Sequence, residues 1–284
     1  MLQKLQNLDR RWVFLSMFLA VALPILFKLD FPEEVSPNTE MVFDAIEKLP
    51  EGSKVLLSYD FDPASEGELL PMAQAFTRHC SIKGLKQYYM ALWPLGSPMV
   101  DESLATIRAE YPDLVYGEDF VKFDYKAGGE VIIRVLGTNF REVFPMDSTG
   151  LSLDELPMTK NIKNIQDMDL IINVSAGDPG TKQWVQFAST PYDIATVSGC
   201  TGVQAPQMYP YIPEQLDGVL GAIKAAAEYE QAIDQKYPSI AANPDAQEAK
   251  RRMGPQLVAH SLMVVLIILG NWIYFMSRKR GLNT

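Results

Sequence analysis

Two carboxylates two residues apart, Asp60 and Asp62, follow a short apolar run at residues 54–59. Acids so spaced at a strand end can hold Mg²⁺ or supply a nucleophile and an acid to phosphoryl transfer, and they equally suit the Asx caps of a tight turn. Ser65 stands close by as a hydroxyl and a candidate helix N-cap. Further along, Lys126, Gly128 and Gly129 form a second candidate loop, and Gly177, Asp178 and Gly180 a third, whose backbone N–H groups could face an anion between a strand and a helix. Gly199 and Thr201 flank Cys200 in a setting that suits a nucleophilic thiol. None of these sets is complete. The 177–180 segment has neither the glycine spacing of a dinucleotide fingerprint nor a P-loop lysine, and His79, the one histidine between the apolar ends, falls inside an expected helix. The sequence therefore assigns no catalytic residue, no resident metal and no cofactor, and the named residues are ligand-binding candidates.

Those loops are positioned by alternating strands and helices. Strands are expected at residues 54–59, 87–93, 120–125, 131–136, 169–174 and 194–197, with helices at 40–49, 66–80, 101–110, 181–187 and about 213–235. Several strands are continuously apolar, as in a mostly parallel sheet covered on both faces. The expected fold is an α/β three-layer sandwich, Rossmann-like or flavodoxin-like, with the candidate residues on loops at the carboxyl ends of the strands. Gly218, Gly221, Ala222 and Ala225 would let a neighbouring element approach closely.

The Asp60-x-Asp62 pair is similar to the first motif of haloacid-dehalogenase-type phosphatases, which implies a metal-dependent hydrolase or transferase; Ala64 stands where that motif has Thr or Val. Over the rest of the domain, Tyr125-Lys126-Ala127-Gly128, Phe144-Pro145-Met146-Asp147, Leu153-Asp154-Glu155-Leu156-Pro157, Tyr209-Pro210-Tyr211 and Ala226-Ala227-Glu228-Tyr229-Glu230 resemble an uncharacterised family of bacterial membrane-anchored α/β proteins. That resemblance implies a shared fold and no activity.

Both ends of the chain are apolar. Residues 12–29 carry Lys28 as their one charge, and residues 257–276 carry none with His260 neutral. Segments of 18 and 20 residues match a hydrocarbon core of about 30 Å at about 1.5 Å per residue. Both read as spanning helices, against a secretory signal for the first and a buried core helix for the second. The resulting organisation is a tail at 1–11, a span at 12–29, the α/β domain at 30–236, a tether at 237–256, a span at 257–276 and a basic tail at 277–284. Lys4, Arg10, Arg11, Arg278, Lys279 and Arg280 flank the outer ends, against Lys28, Lys250, Arg251 and Arg252 on the inner ones. That bias expects both termini in the cytoplasm and the domain extracytoplasmic, in a cytoplasmic or inner membrane.

The chain carries −10 overall, and without its basic tails −15, a field that repels nucleic acid and anionic lipid. Cys80 and Cys200 are too few for a four-cysteine zinc site and read as two buried thiols or one disulfide. The expected role is a protein-binding or structural subunit of a membrane assembly, partnered by the lipid bilayer and by other membrane subunits or a second copy. A small-ligand sensor, or a metal-dependent hydrolase using Asp60 and Asp62, are the alternatives.

Overall fold

The computed structural model describes residues 9–27, 29 and 33–279, which divide into an α/β unit, Glu33–Ala249, and a unit of flanking segments, Met1–Pro32 with Lys250–Thr284.

In the flanking unit, α1 is Arg10–Leu26, begun by Asp9, whose carboxylate accepts from Arg11 N at 2.9 Å. Its 17 residues extend about 25 Å at about 1.5 Å each, short of a hydrocarbon core of about 30 Å. Among the described residues one helical stretch, Asp245–Arg278, is long and apolar enough to cross a membrane, where the sequence analysis expects two. The difference arises at the C-terminal end of α1, which starts two residues before the expected Trp12 but stops at Leu26; Lys28, which the expected span includes, lies outside the described residues.

In the α/β unit, six strands form one all-parallel sheet: β1 Lys54–Asp60, β2 Lys86–Met90, β3 Phe120–Lys122, β4 Leu170–Ser175, β5 Thr196–Cys200 and β6 Gly218–Gly221, in the order β3-β2-β1-β4-β5-β6. Every residue of β4 and β5 is buried, as a sheet covered on both faces requires. Alternate residues of β1 show which helices lie on which face. Tyr59 donates its hydroxyl to the Ala73 carbonyl of α3 (Glu66–Ile82) at 2.7 Å. The next residue, Asp60, faces Trp184 at the end of α7 (Thr181–Trp184). Helix α3 packs against α4 (Gly96–Glu110) and α9 (Ala222–Lys236), and α2 (Pro37–Glu47) packs against α9 and β6. The other face carries α5 (Glu130–Leu136), α6 (Phe140–Val143) and α7 over a core that includes Leu56, Tyr88, Ile171 and Trp184. After β5 comes the short helix α8 (Ala205–Met208).

The chain runs outward from β1 through β2 to β3 and, from β4, outward the other way through β5 to β6. This is the Rossmann order, not the flavodoxin one, and its reversal point, where ligands bind in such sheets, lies between β1 and β4.

Two expected elements differ. Residues 131–136, read as a strand, are helix α5, because a short apolar run has no periodicity of its own and the buried pair Ile133 and Leu136 sits at helical spacing. The helix read from about residue 213 begins at Ala222, and the stretch before it holds β6. Gly218 in β6 is small because a Cβ there would come within 2.7 Å of Val42 Cγ2 on α2. The expected tether is also ordered locally: α10 begins at Glu248 and continues through Pro255 to Lys279.

Both ends of the unit are held by α9. Ser36 Oγ and Thr39 Oγ1 donate to Glu228 Oε2 at 2.5 and 2.8 Å, while Ala249 N donates to Glu230 Oε1 at 2.9 Å. Cys80 on α3 and Cys200 at the end of β5 are both buried and free.

A side chain at Gly218 must displace α2. Gly218→Val should cost about 1–3 kcal/mol, read as a lowered midpoint in denaturant with an unchanged slope.

Candidate functional site

Asp60 sits at the carboxyl end of β1, beside the reversal point, with no exposed surface. Its carboxylate accepts from Leu92 N at 2.7 Å, Asn173 Nδ2 at 2.7 Å, Ser58 Oγ at 2.9 Å and Trp184 Nε1 at 3.1 Å. Burial raises its pKa to about 6 against these four donors, so at neutral pH it is a carboxylate whose oxygens are engaged by the protein itself. Asp62 serves a separate network, its Oδ1 accepting from Ala64 N at 3.1 Å as an Asx turn does. The pair does not form a shared metal cradle. Ser65 precedes α3 without a side-chain cap.

From Asp60 a polar seam crosses the sheet. Asn173 Nδ2 also donates to the Ser58 carbonyl, which fixes the amide so that Asn173 Oδ1 accepts from Thr181 Oγ1 at 2.8 Å. Thr181 Oγ1 further meets Ser198 Oγ at 2.5 Å and Ser175 Oγ at 3.1 Å. Asn173 begins an Asn-Val-Ser sequon, but this burial in β4 withholds it from glycosylation.

The seam ends under a cavity of about 170 Å³ lined by Ser175, Gly177, Asp178, Thr181, Lys182, Gln204, Gln207 and Met208, from the loops after β4 and β5. Of the residues named from the sequence, Gly177 and Asp178 line it. Gly180 forms its frame, since a Cβ there would lie 2.3 Å from the Gly177 carbonyl and 2.6 Å from Ser175 Oγ. The Lys126–Gly129 loop lies beside this loop: a Cβ on Gly129 would reach Pro179 Cγ at 3.5 Å, and Lys126 N donates to the Ala91 carbonyl at 3.4 Å. Gly128 and Gly129 adopt φ of 135° and 53°, values that favour glycine. Lys126 Nζ stands 5.6 Å from the Phe144 ring centroid, over its face. Trp93 closes the group, donating Nε1 to the Pro179 carbonyl at 2.7 Å.

Gly199 and Thr201 serve packing and a turn. A Cβ on Gly199 would come 2.6 Å from Met72 Sδ, and the Thr201 carbonyl accepts from Gln204 N and Ala205 N at 3.0 Å each. Burial, reinforced by Glu68, pushes the Cys200 thiol up to about 12, far from a nucleophilic thiolate. Sequence reasoning missed Ser175, Thr181, Lys182, Gln204 and Gln207. Ser175 and Thr181 bracket the 177–180 segment and were within reach; Gln204 and Gln207 join only because β5 lies next to β4.

A second buried polar group lies under α2. His79, stacked on Phe43 at 4.8 Å between centroids, has Nε2 3.0 Å from Glu47 Oε2 and Nδ1 2.7 Å from Tyr229 Oη. Burial takes His79 down to about 4, so it is neutral at pH 7. The Glu47 carboxylate, held below its usual range by His79 and Tyr237 against the cost of burial, can only accept. Nε2 therefore carries the proton and Nδ1 accepts from Tyr229.

Fold and site together define a Rossmann-like α/β domain without a dinucleotide fingerprint. No protein-family model matches the chain, and a search of curated proteins finds no match.

Asp60 and His79 bend the stability profile in opposite directions. The Asp60 contribution is full below about 3.8 and lost as pH rises through 6; that of His79 is full above 6.5 and lost as pH falls through 4. Between pH 4 and 6 the two offset. With His79→Gln that offset is lost, and the stability of the variant relative to the parent should fall by up to about 3 kcal/mol as pH rises across that interval. A series of thermal midpoints for parent and variant checks it.

Proposed function

We propose that this chain is a bilayer-anchored Rossmann-like domain that works as a protein-binding or structural subunit of a membrane assembly. The observation that carries this reading is an apolar rim on the carboxyl side of the sheet. Leu95, Val131, Val203 and Tyr209, which follow β2, β3 and β5, are 52%, 57%, 85% and 48% exposed. Large apolar side chains left open on the segments that follow these strands suit a protein partner better than solvent. The anchor is α10, whose residues Val264, Ile267, Ile268, Trp272 and Phe275 are exposed to whatever surrounds the helix. The apolar surface of α1, with Trp12, Phe14 and Phe18 exposed, calls for the same bilayer. Taken across it at the short end of the range of about 17–25 residues, α1 completes an arrangement with both termini cytoplasmic and the domain extracytoplasmic, as the basic flanks favour. Confinement to a membrane raises the effective concentration of a partner held in the same plane.

A second reading, a small-ligand sensor, is favoured by the cavity above Ser175 and Thr181. A hydrolase using Asp60 and Asp62 gains no support from their geometry, since Asp60 has no exposed surface.

A photo-crosslinking residue at Val203 in native membranes should give one discrete adduct, and Tyr209→Glu should abolish it. A chain that stays free on illumination and runs as a monomer in mild detergent overturns the reading. Sidedness is read from single cysteines at Glu118 and Asp193, expected to react with a membrane-impermeant maleimide in intact cells.

A further inference from the structure

We propose that the cavity between the loops after β4 and β5 binds a free α-amino acid, taking its ammonium on the floor and its carboxylate at the lip. The inference deepens the small-ligand reading and rests on it.

The argument follows the protons. Asp60 accepts from Asn173 Nδ2, which turns Asn173 Oδ1 toward Thr181. The Thr181 hydroxyl proton goes to that oxygen, so in both remaining contacts Thr181 Oγ1 accepts, from Ser198 Oγ and from Ser175 Oγ. Ser175 Oγ also accepts from Thr181 N at 3.2 Å. With its proton committed and one lone pair used, this buried hydroxyl presents the cavity with an acceptor only. Asp178 adds a second acceptor, because Oδ1 takes Gln183 Nε2 at 3.0 Å and Oδ2 has no hydrogen bond among the described residues. Gln204 adds a third: its Oε1 is buried and has no partner among the described residues.

Ser175, Asp178 and Gln204 all line this one space, so acceptors with unused capacity belong to a single cavity wall, and a primary ammonium has three N–H bonds to offer them. Lys182 and the Gln207 amide, which line the same cavity, supply a cation and a donor for a carboxylate. A cavity of about 170 Å³ is small beside the roughly 300–1,000 Å³ of pockets for drug-sized ligands, which suits an amino acid with a small side chain better than a nucleotide.

The test uses the full-length chain in mild detergent and calorimetric titration with the common L-α-amino acids, with methylamine, and with the carboxylic acids that lack the amino group. One or more small amino acids should bind at one per chain. Ser175→Ala and Asp178→Asn should each weaken that binding by about tenfold or more, and the deaminated acid should bind at least as much more weakly. Asp178 is exposed, so its variant reports on binding even if Ser175→Ala disturbs the fold. Binding of the deaminated acid as tightly as the amino acid, or binding untouched by Asp178→Asn, overturns the ammonium assignment and leaves a ligand cavity in place. An absence of binding by any compound overturns the assignment, and a thermal-shift screen with uncharged polyols that also stays silent sinks the small-ligand reading with it.

Discussion

The carboxylate of Asp60 is the interaction on which the middle of the sheet depends. It is anionic, wholly enclosed, and joined by hydrogen bonds to the turn after β2, to Asn173 on β4 and to Trp184 on the covering helix. An ion in such a place is tolerated because each donor lowers the cost of removing it from water; with one donor missing, the remaining charge is strongly destabilising. The constraint is therefore mutual. The charge needs β1, β2, β4 and α7 in register, and those elements, once in register, offer few other sites where a carboxylate at residue 60 could sit. An apolar residue would bury as well, but would leave the Leu92 N–H and the indole N–H without acceptors.

The same charge sets directions further out. Hydroxyl and amide groups are reversible donors and acceptors, and in a seam of Ser58, Asn173, Thr181, Ser175 and Ser198 many arrangements would be equal in energy without a fixed end. Asp60 provides that end, since a carboxylate can only accept. On the opposite face Glu47 does the same for His79 and Tyr229, dictating which imidazole nitrogen carries the proton. In each network one acid that cannot donate imposes a polarity on several residues that can.

Much of the fold was legible because it was local. The apolar runs at 54–59 and 169–174, read as interior strands from their place in the alternation with helices, are β1 and β4. The run at 131–136 was not legible: strand and helix both accept a short apolar segment, and the deciding fact, the burial of Ile133 and Leu136 against the other face of the sheet, is tertiary. Strand β6 was hidden for a related reason. Four residues with a glycine at each end carry almost no strand signal, and Gly218 is explained only by the helix α2 laid across it. At the edge of the sheet, Asp60 announced itself by type and position, yet its role as a structural anion follows from Trp184, distant in sequence. The length of α1 turned on residues at its ends, where apolar composition is least informative.

The two attachment points of the domain to its flanking segments fall on almost the same place. Glu228 receives Ser36 and Thr39 where the chain enters, and Glu230, two residues on in the same helix, receives Ala249 where it leaves. Entry and exit of the domain are thus fastened to one helix, so that loosening α9 would release both ends together.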